Sequence, residues 1–446
     1  MKKEYLILTL ILLLALMLRF FPILVFKMPL CYDAPFHINA TKELLLVKKI
    51  DGINLYYPQV YHVLLAYLSL FSGFDVFTLA EFILPIIASL LCIGIFAHFR
   101  NKVGILLAIA TAVAIPLVHA SFDSPENIAF LLLIGFWMMK DRNLLISEIL
   151  LALTLFTNYF VFIISSIAYV LFKRKDSLRF LLISSVLICL MNFLGLKLFV
   201  GLNPSSGMEL IYYNIKNSFP FLILITILTM GPIWYLNFKN KKLNFWSYLG
   251  IISFFGMLSF FITPLFRAWE FPKFFILSSI LISGNVLNNT TMRRFFSFLI
   301  VLSFIFSLLS ASYFIFPRIH KIEINSLKWL EKNYDGKKIL AEPSLGEYII
   351  YFTDINEEKI SNKLFYERKE RIEDKAIKCM LYLRENDCKN YGLWIRNFED
   401  DYFRKLDEKK LKKKFSKIYS LKSKSLCLIK GINCNDMQTY VLKFKN

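Results

Sequence analysis

The chain has no Cys-x-x-Cys pair, no internal repeat of fixed period and few acids in the short loops that carry its cations. The first absence leaves no zinc-site spacing. The second removes the solenoid and propeller architectures. The two halves also lack the matched pair of broken helices that many secondary transporters show. No small-x-small cleavage site follows the N-terminal Met1-Lys2-Lys3 and its apolar run Tyr5–Phe26. That run is too long for a signal-peptide core and reads as an uncleaved first span. Cysteine is sparse, with 7 residues in 446. Cys92 and Cys189 fall inside apolar runs, and Cys31 follows the first. Cys379, Cys388, Cys427 and Cys434 lie in the tail, where Cys379/Cys388 and Cys427/Cys434 are the simplest pairing if that part is outside the cell. Sequence does not fix the connectivity.

Apolar residues are what the chain has in excess: 57% of it is hydrophobic and the mean hydropathy is +0.53, against about 45–50% apolar in soluble proteins. The excess lies before residue 316, so the sequence divides into a membrane body, 1–316, and a polar domain, 317–446. The formal charge of +20 does not point to nucleic acid. In the body it sits in short loops between apolar runs, where it orients a membrane protein. The tail run Lys409-Lys410-Leu411-Lys412-Lys413-Lys414 reads as a solvated helix face or as an attraction to anionic lipid headgroups.

A span needs about 20 apolar residues, fewer if short or re-entrant. The pattern predicts about eleven. They are Tyr5–Phe26, Val76–Phe99, Val103–His119, Asn127–Met139, two short spans within Leu144–Phe172 divided near Thr157-Asn158, Leu178–Val200, Phe219–Phe238, Phe245–Ile262, Phe271–Leu287 and Phe295–Phe316. Val60–Phe71 is apolar but short and reads as a helix lying at the interface. Arg100/Lys102, Lys140/Arg142, Lys173/Arg174/Lys175, Lys239/Lys241/Lys242 and Arg293/Arg294 all fall on the side of Lys2/Lys3. The positive-inside rule then puts the N-terminus in the cytoplasm and 317–446 outside. The expected fold is mainly α: a polytopic transmembrane bundle with an outer loop, 28–58, and a C-terminal extracytoplasmic α/β domain. The expected location is a cell membrane, multi-pass, in a cell envelope.

Acids gather at the outer face: Asp33, Glu43, Asp51, Asp75, Asp123, Glu126, Glu209 and Glu270. Either outer loops tolerate acids, or a polar working site lies there. Four stretches could carry chemistry. In Tyr32-Asp33-Ala34-Pro35-Phe36-His37, Pro35 suits a helix start. A helix over 35–49 would turn Phe36, Ala40, Leu44 and Val47 inward. Asp33 could act as a base or bind a divalent ion, or merely cap that helix. Tyr56-Tyr57-Pro58-Gln59-Val60-Tyr61-His62 is an aromatic interface stretch, and such aromatics are usually anchors. His119-Ala120-Ser121-Phe122-Asp123-Ser124-Pro125-Glu126-Asn127 puts two carboxylates at a turn between apolar helices, where their oxygens suit Mg²⁺ or Mn²⁺ or simply a helix N-terminus. In the stretch from Thr263 to Lys273, Arg267 runs against the outer charge bias. Its fork suits phosphate, and its bland role is a snorkelling arginine paired with Glu270.

In their order these stretches resemble the GT-C superfamily of membrane glycosyltransferases, nearest to the oligosaccharyltransferase catalytic subunit. The family's D-P-W-F-N-Y-R-A-T-like stretch after the first span is similar to Asp33-Ala34-Pro35-Phe36-His37-Ile38-Asn39-Ala40-Thr41 here, and its W-Y-P to Tyr56-Tyr57-Pro58. Its S-Y-D-N-E-G-I-A resembles Ser121-Phe122-Asp123-Ser124-Pro125-Glu126-Asn127-Ile128-Ala129, which has one residue more between the acids. Arg267 matches the family's carrier-phosphate arginine. The likeness covers roughly residues 1–290. The W-W-D-Y-G motif that reads the acceptor sequon is absent: the nearest stretch is Ala341–Tyr351. That directs the acceptor towards a lipid-linked sugar or surface glycan.

The resemblance implies sugar transfer from a polyprenyl (dolichyl) phosphate donor to a glycan, lipid or protein acceptor at the outer face, among membrane lipids and with no nucleic acid. It implies Asp33 and His37 as catalytic residues and Asp33, Asp123 and Glu126 as ligands of Mg²⁺ or Mn²⁺. It also implies Arg267 on the donor phosphate and Tyr57, His62 and Glu209 on substrate. The rival from another class is a transporter or lipid-handling protein without chemistry, or a scaffold keeping the fold. It predicts charges buried mid-span, and charges inside the spans are few.

Overall fold

The computed structural model describes residues 2–26, 34–47, 60–99, 102–114, 116–118, 126–173, 177–193, 219–240, 243–261, 271–313, 327–328, 330–332, 338–340, 349, 353, 360–361, 391–397, 415–423 and 437–444. The chain divides into two compact units: Met1–Leu30 with Ala40–Phe316, and Cys31–Asn39 with Pro317–Asn446.

The described residues of the first unit are mainly helical. α1 is Lys2–Phe26, α2 Ala34–Val47 (its first six residues belong to the second unit), α3 Val60–Ser72, α4 Val76–Phe99, α5 Lys102–Val113 and α6 Glu126–Met139. α7 is Leu144–Thr157, α8 Tyr159–Lys173, α9 Leu178–Phe193 and α10 Phe219–Lys239. α11 is Phe245–Leu258, α12 Phe271–Ser283 and α13 Thr290–Tyr313. Among the described residues three helical stretches are long and apolar enough to cross a membrane: Glu4–Leu24, Val76–Phe99 and Thr290–Ser307. The other apolar helical stretches, among them Ile223–Lys239 of α10, run 10–17 residues. A 14-residue helix such as α6 or α7 measures about 21 Å at 1.5 Å per residue.

Local chemistry sets the boundaries. α3 ends at Gly73, whose φ of 72° is the left-handed conformation that closes helices, and its N–H returns to Ser69 O at 3.0 Å. Asp75 then opens α4: its carboxylate accepts from Thr78 N at 3.0 Å and from the Thr78 hydroxyl at 2.6 Å. That acid, expected from the sequence at the outer face, is a helix cap. The inward face of α2 differs from the sequence expectation. Ala40 is buried and Leu44 half-buried, but His37, Ile38 and Thr41 are buried too.

The expected span Val103–His119 does not form one helix. α5 stops at Val113 because Pro116 has no N–H to donate to Ala112 O, its partner four residues back. Leu117 N and Val118 N turn instead to Ala114 O, at 3.0 and 2.9 Å. The two orphaned carbonyls are served by other helices. Arg19 on α1 donates to Ala112 O at 3.1 Å, and Ser303 and Ser307 on α13 donate to Val113 O at 2.9 and 2.6 Å.

The run from Leu144 breaks at Asn158, where the length and flanking charges place the division. Asn158 closes α7 in an extended conformation and donates its N–H to Thr154 O at 2.8 Å. Its side-chain oxygen accepts from Val161 N at 3.0 Å, capping α8. The Tyr169 hydroxyl donates to Glu148 at 2.7 Å. These residues lie 10 before and 11 after Asn158, so α7 and α8 fold back as an antiparallel hairpin.

The hairpin tip and its open end mark the two ends of the unit. At the tip end, Phe160 packs edge-on to Phe271 and Phe274, the latter also meeting Phe130, at centroid distances of 5.3, 5.8 and 5.2 Å. At the open end, Trp137 donates to His98 at 3.0 Å, lies against Phe245 and Trp246, and carries the Lys140 ammonium 3.7 Å above its ring. Phe172 meets Tyr248 there. The Asn285 amide donates to Asn237, whose own amide donates to Ser247.

Among the described residues of the second unit five strands form one mixed sheet in the order β2-β1-β3-β5-β4. β1 (Lys338–Leu340) pairs in parallel with β2 (Ile360–Ser361) and β3 (Tyr391–Asn397). β5 (Met437–Phe444) runs antiparallel between β3 and β4 (Phe415–Ser423). The register puts Leu393 opposite Leu442 and Ile395 opposite Tyr440, with Ile418 beyond Leu442, so one face collects these apolar positions by the two-residue period of a strand.

Candidate functional site

The strongest polar feature at the hairpin-tip end is an ion pair between Glu126, the first residue of α6, and Lys273, the third of α12. It is nearly dry: the side chains are 6% and 12% exposed. Glu126 suits its position, since a helix N-terminus favours an anion. Lys273 does not suit its own, because the positive end of α12 disfavours a cation. The carboxylate of the other helix offsets that. The floor beneath is the aromatic group of Phe130, Phe160 and Phe274, which lowers the local dielectric and strengthens the attraction. The pair therefore holds side by side two helix starts. One is entered from the stretch carrying Asp123, the other from the stretch carrying Arg267.

Of the sequence-predicted site residues, His37, His62 and Glu126 are described, whereas Asp33, Tyr57, Asp123, Glu209 and Arg267 lie outside the described residues, as do Cys31 and the four tail cysteines. Cys92 and Cys189 are free thiols, the first buried and the second exposed. His37 is buried on α2. His62 is buried on α3, and burial pushes its imidazole down to about 3, so it is neutral at physiological pH and suited to hydrogen bonding, not proton exchange. Among the described residues no group of three or more His, Cys, Asp and Glu side chains is placed to hold a metal ion. Glu126, one of the three ligands implied for Mg²⁺ or Mn²⁺, carries the Lys273 ammonium. A divalent ion there would have to displace it.

No protein-family model matches the chain, and no curated protein matches it.

Two buried charges escaped the sequence reading. Glu148 is fully buried near the start of α7, where Tyr169 of α8 and Arg179 Nε of α9 (2.5 Å) satisfy its two oxygens. It ties three helices together at the open end of the hairpin. Arg19 is fully buried in α1. Both were visible as ionisable residues inside apolar runs, which is itself a signal. Their partners, on helices remote in sequence, were not.

Proposed function

We propose that this protein is a multi-pass membrane glycosyltransferase, taking a sugar from a polyprenyl-phosphate donor to an acceptor at the outer face. The observation that supports it is the buried Glu126–Lys273 pair, because it makes neighbours of the helices that follow two of the stretches resembling the GT-C motifs. In this reading Asp33 is the base towards an acceptor hydroxyl, with His37 orienting it. Arg267 and Lys273 supply positive charge where the phosphate leaving group develops negative charge, and preorganised cations there favour the transition state. The glycosidic bond breaks at the sugar carbon, the phosphate oxygen keeps the electron pair, and the acceptor oxygen forms the new bond as its proton leaves. Mg²⁺ or Mn²⁺, if held by Asp33 and Asp123, would add further positive charge at that phosphate.

The same reading gives the bundle about eleven crossings, with the N-terminus in the cytoplasm and 317–446 outside as an α/β domain. The clustering of His98, Lys140 and the ends of α8 and α10 at one end of the unit supports that orientation under the positive-inside rule. The second reading, a transporter or lipid-handling protein without chemistry, gains one observation: Arg19 is a cation buried within a candidate span.

The two readings part on one measurement. Full-length protein reconstituted in liposomes with a polyprenyl-phosphate-linked sugar and a hydroxyl-bearing glycan or lipid acceptor should release polyprenyl phosphate as the sugar joins the acceptor. Asp33→Asn should slow that release by about 10²–10⁴-fold, the usual loss on removing a general base, with membrane insertion unchanged. Undiminished turnover in Asp33→Asn removes Asp33 from the mechanism. Absence of turnover by the unaltered chain with every such donor leaves the second reading standing.

A further inference from the structure

Arg19 sits in the apolar stretch Glu4–Leu24 of α1 and is 0% exposed. One of its terminal nitrogens, Nη1, is fully used: it donates to Ala15 O and to Ala112 O, each at 3.1 Å. The second bond replaces the donor that Pro116 cannot supply to α5. The other two nitrogens, Nε and Nη2, are buried with no hydrogen-bond partner among the described residues. They form the side-on edge of the guanidinium, the edge that takes two oxygens of a carboxylate or phosphate in parallel.

A snorkelling arginine would explain none of this. Snorkelling carries the charged head towards the nearer membrane boundary, which for Arg19 is the Phe26 end. Its guanidinium instead turns back one turn, to the level of Ala15. Ala15 lies 13 residues, or about 20 Å, from Lys2, and Ala112 lies 10 residues, or about 15 Å, from Lys102. Both helices therefore place the group near the middle of a layer about 30 Å thick. The surroundings are apolar: Ile11, Leu18, Cys92, Ala108 and Val113 form the packed cluster of α1, α4 and α5. Arginine stays charged there, since its proton is not lost in proteins. No described carboxylate pairs with it, and within hydrocarbon an uncompensated cation with two unmade hydrogen bonds is costly.

We infer that the Nε–Nη2 edge of Arg19 is the recognition element of an intramembrane site for a small oxyanion, a phosphate or a carboxylate, between α1, α4 and α5. The first edge of the guanidinium is locked onto the proline break, so the second is held in one orientation before the anion arrives. Such preorganisation reduces the entropy lost on binding. The low dielectric strengthens a charge-assisted bidentate contact. The site is separate from the Glu126–Lys273 end and does not depend on sugar transfer.

The test uses the full-length chain in uncharged detergent. Its thermal unfolding is followed in chloride and then, at matched ionic strength, with inorganic phosphate, acetate or polyprenyl monophosphate added. A ligand of the folded state raises the midpoint by mass action. At least one of the three should raise it by several degrees. Phosphate or acetate acting alone identifies a solute anion, whereas polyprenyl monophosphate acting alone identifies a lipid headgroup. Arg19→Lys keeps the charge but loses the fork, and its response should vanish. A response of equal size in Arg19→Lys, or none to any of the three in the unaltered chain, overturns the inference. Should Arg19→Lys fail to fold, Cys92→Asp decides. Cys92 lies within electrostatic reach of the guanidinium, so an aspartate there supplies the missing oxyanion from within. That variant should fold and no longer respond to anions. A Cys92→Asp chain that is unfolded, or that responds as the unaltered chain does, also counts against the site.

Discussion

Lys273→Met should destabilise the helical unit by about 3–5 kcal/mol, the usual loss when one partner of a buried ion pair is removed. Methionine preserves much of the apolar stem, so little of the loss comes from packing. It comes from Glu126, 6% exposed and set over an aromatic floor, which would be left without its ammonium. The α6 N-terminus offers some compensation, but a helix end stabilises an anion by only about 0.3–1 kcal/mol, or about 2 in favourable buried geometry. The check is a double-mutant cycle on thermal or denaturant unfolding in detergent. Glu126→Gln added to Lys273→Met should return most of the stability, since a buried pair replaced as a whole is often neutral. A cost below about 1 kcal/mol for Lys273→Met, the range of exposed pairs, would show the pair to be solvated. The double variant also separates packing from chemistry. Under the glycosyltransferase proposal it should be folded yet poor in transfer, because the cation for the leaving phosphate is gone.

What could be read from sequence was whatever depends on nearest neighbours along the chain. The hairpin division at Asn158 followed from a run too long for one helix with cations at both ends, and the residue that executes it is a local capper. Ser72-Gly73 closes α3 for an equally local reason. The length of α5 was misjudged despite a visible cause: Pro116 lies inside the expected span Val103–His119, and a proline removes the donor for the carbonyl four residues back. The donors that rescue the break, Arg19 and Ser303/Ser307, stand 93 and about 190 residues away in sequence, and no periodicity reports them. The candidate site divides in the same way. Glu126 was picked out because two acids beside an apolar helix are unusual. Lys273 was passed over for Arg267, because its attachment to Glu126 is a fact of tertiary packing. Asp75 illustrates the reverse case, an acid expected at the outer face whose work is to cap α4. Carboxylates that the sequence leads one to expect on one side of a membrane are thus a mixture, and geometry is needed to sort them.

Gly250→Ala should be nearly as damaging as the loss of Lys273, although it adds one methyl group and no charge. Gly250 lies on α11, where α10 and α12 both approach. A Cβ there would stand 2.2 and 2.4 Å from Trp234 Cζ2 and Cη2, and 3.1 Å from Ser278 Cβ. Relief requires the indole to move, and the indole is pinned. Its N–H donates to the Ser279 hydroxyl at 2.9 Å, and its ring stacks on Phe275 at 5.5 Å with planes 14° apart. Overpacking typically costs about 1–3 kcal/mol, and losing the indole hydrogen bond adds about 1. The expected total is therefore about 2–4 kcal/mol on the same unfolding assay. Trp234→Phe in the Gly250→Ala chain should recover a large part of it, because phenylalanine lacks the far ring atoms that collide. Ser279 would not be stranded, since its hydroxyl already donates to Phe275 O at 2.7 Å. If Gly250→Ala costs under about 1 kcal/mol, or Trp234→Phe fails to relieve it, the close approach of α10 to α11 is not what the glycine permits. If both hold, a residue with no side chain sets the distance between helices that pack directly behind the start of α12, and so helps to place Lys273.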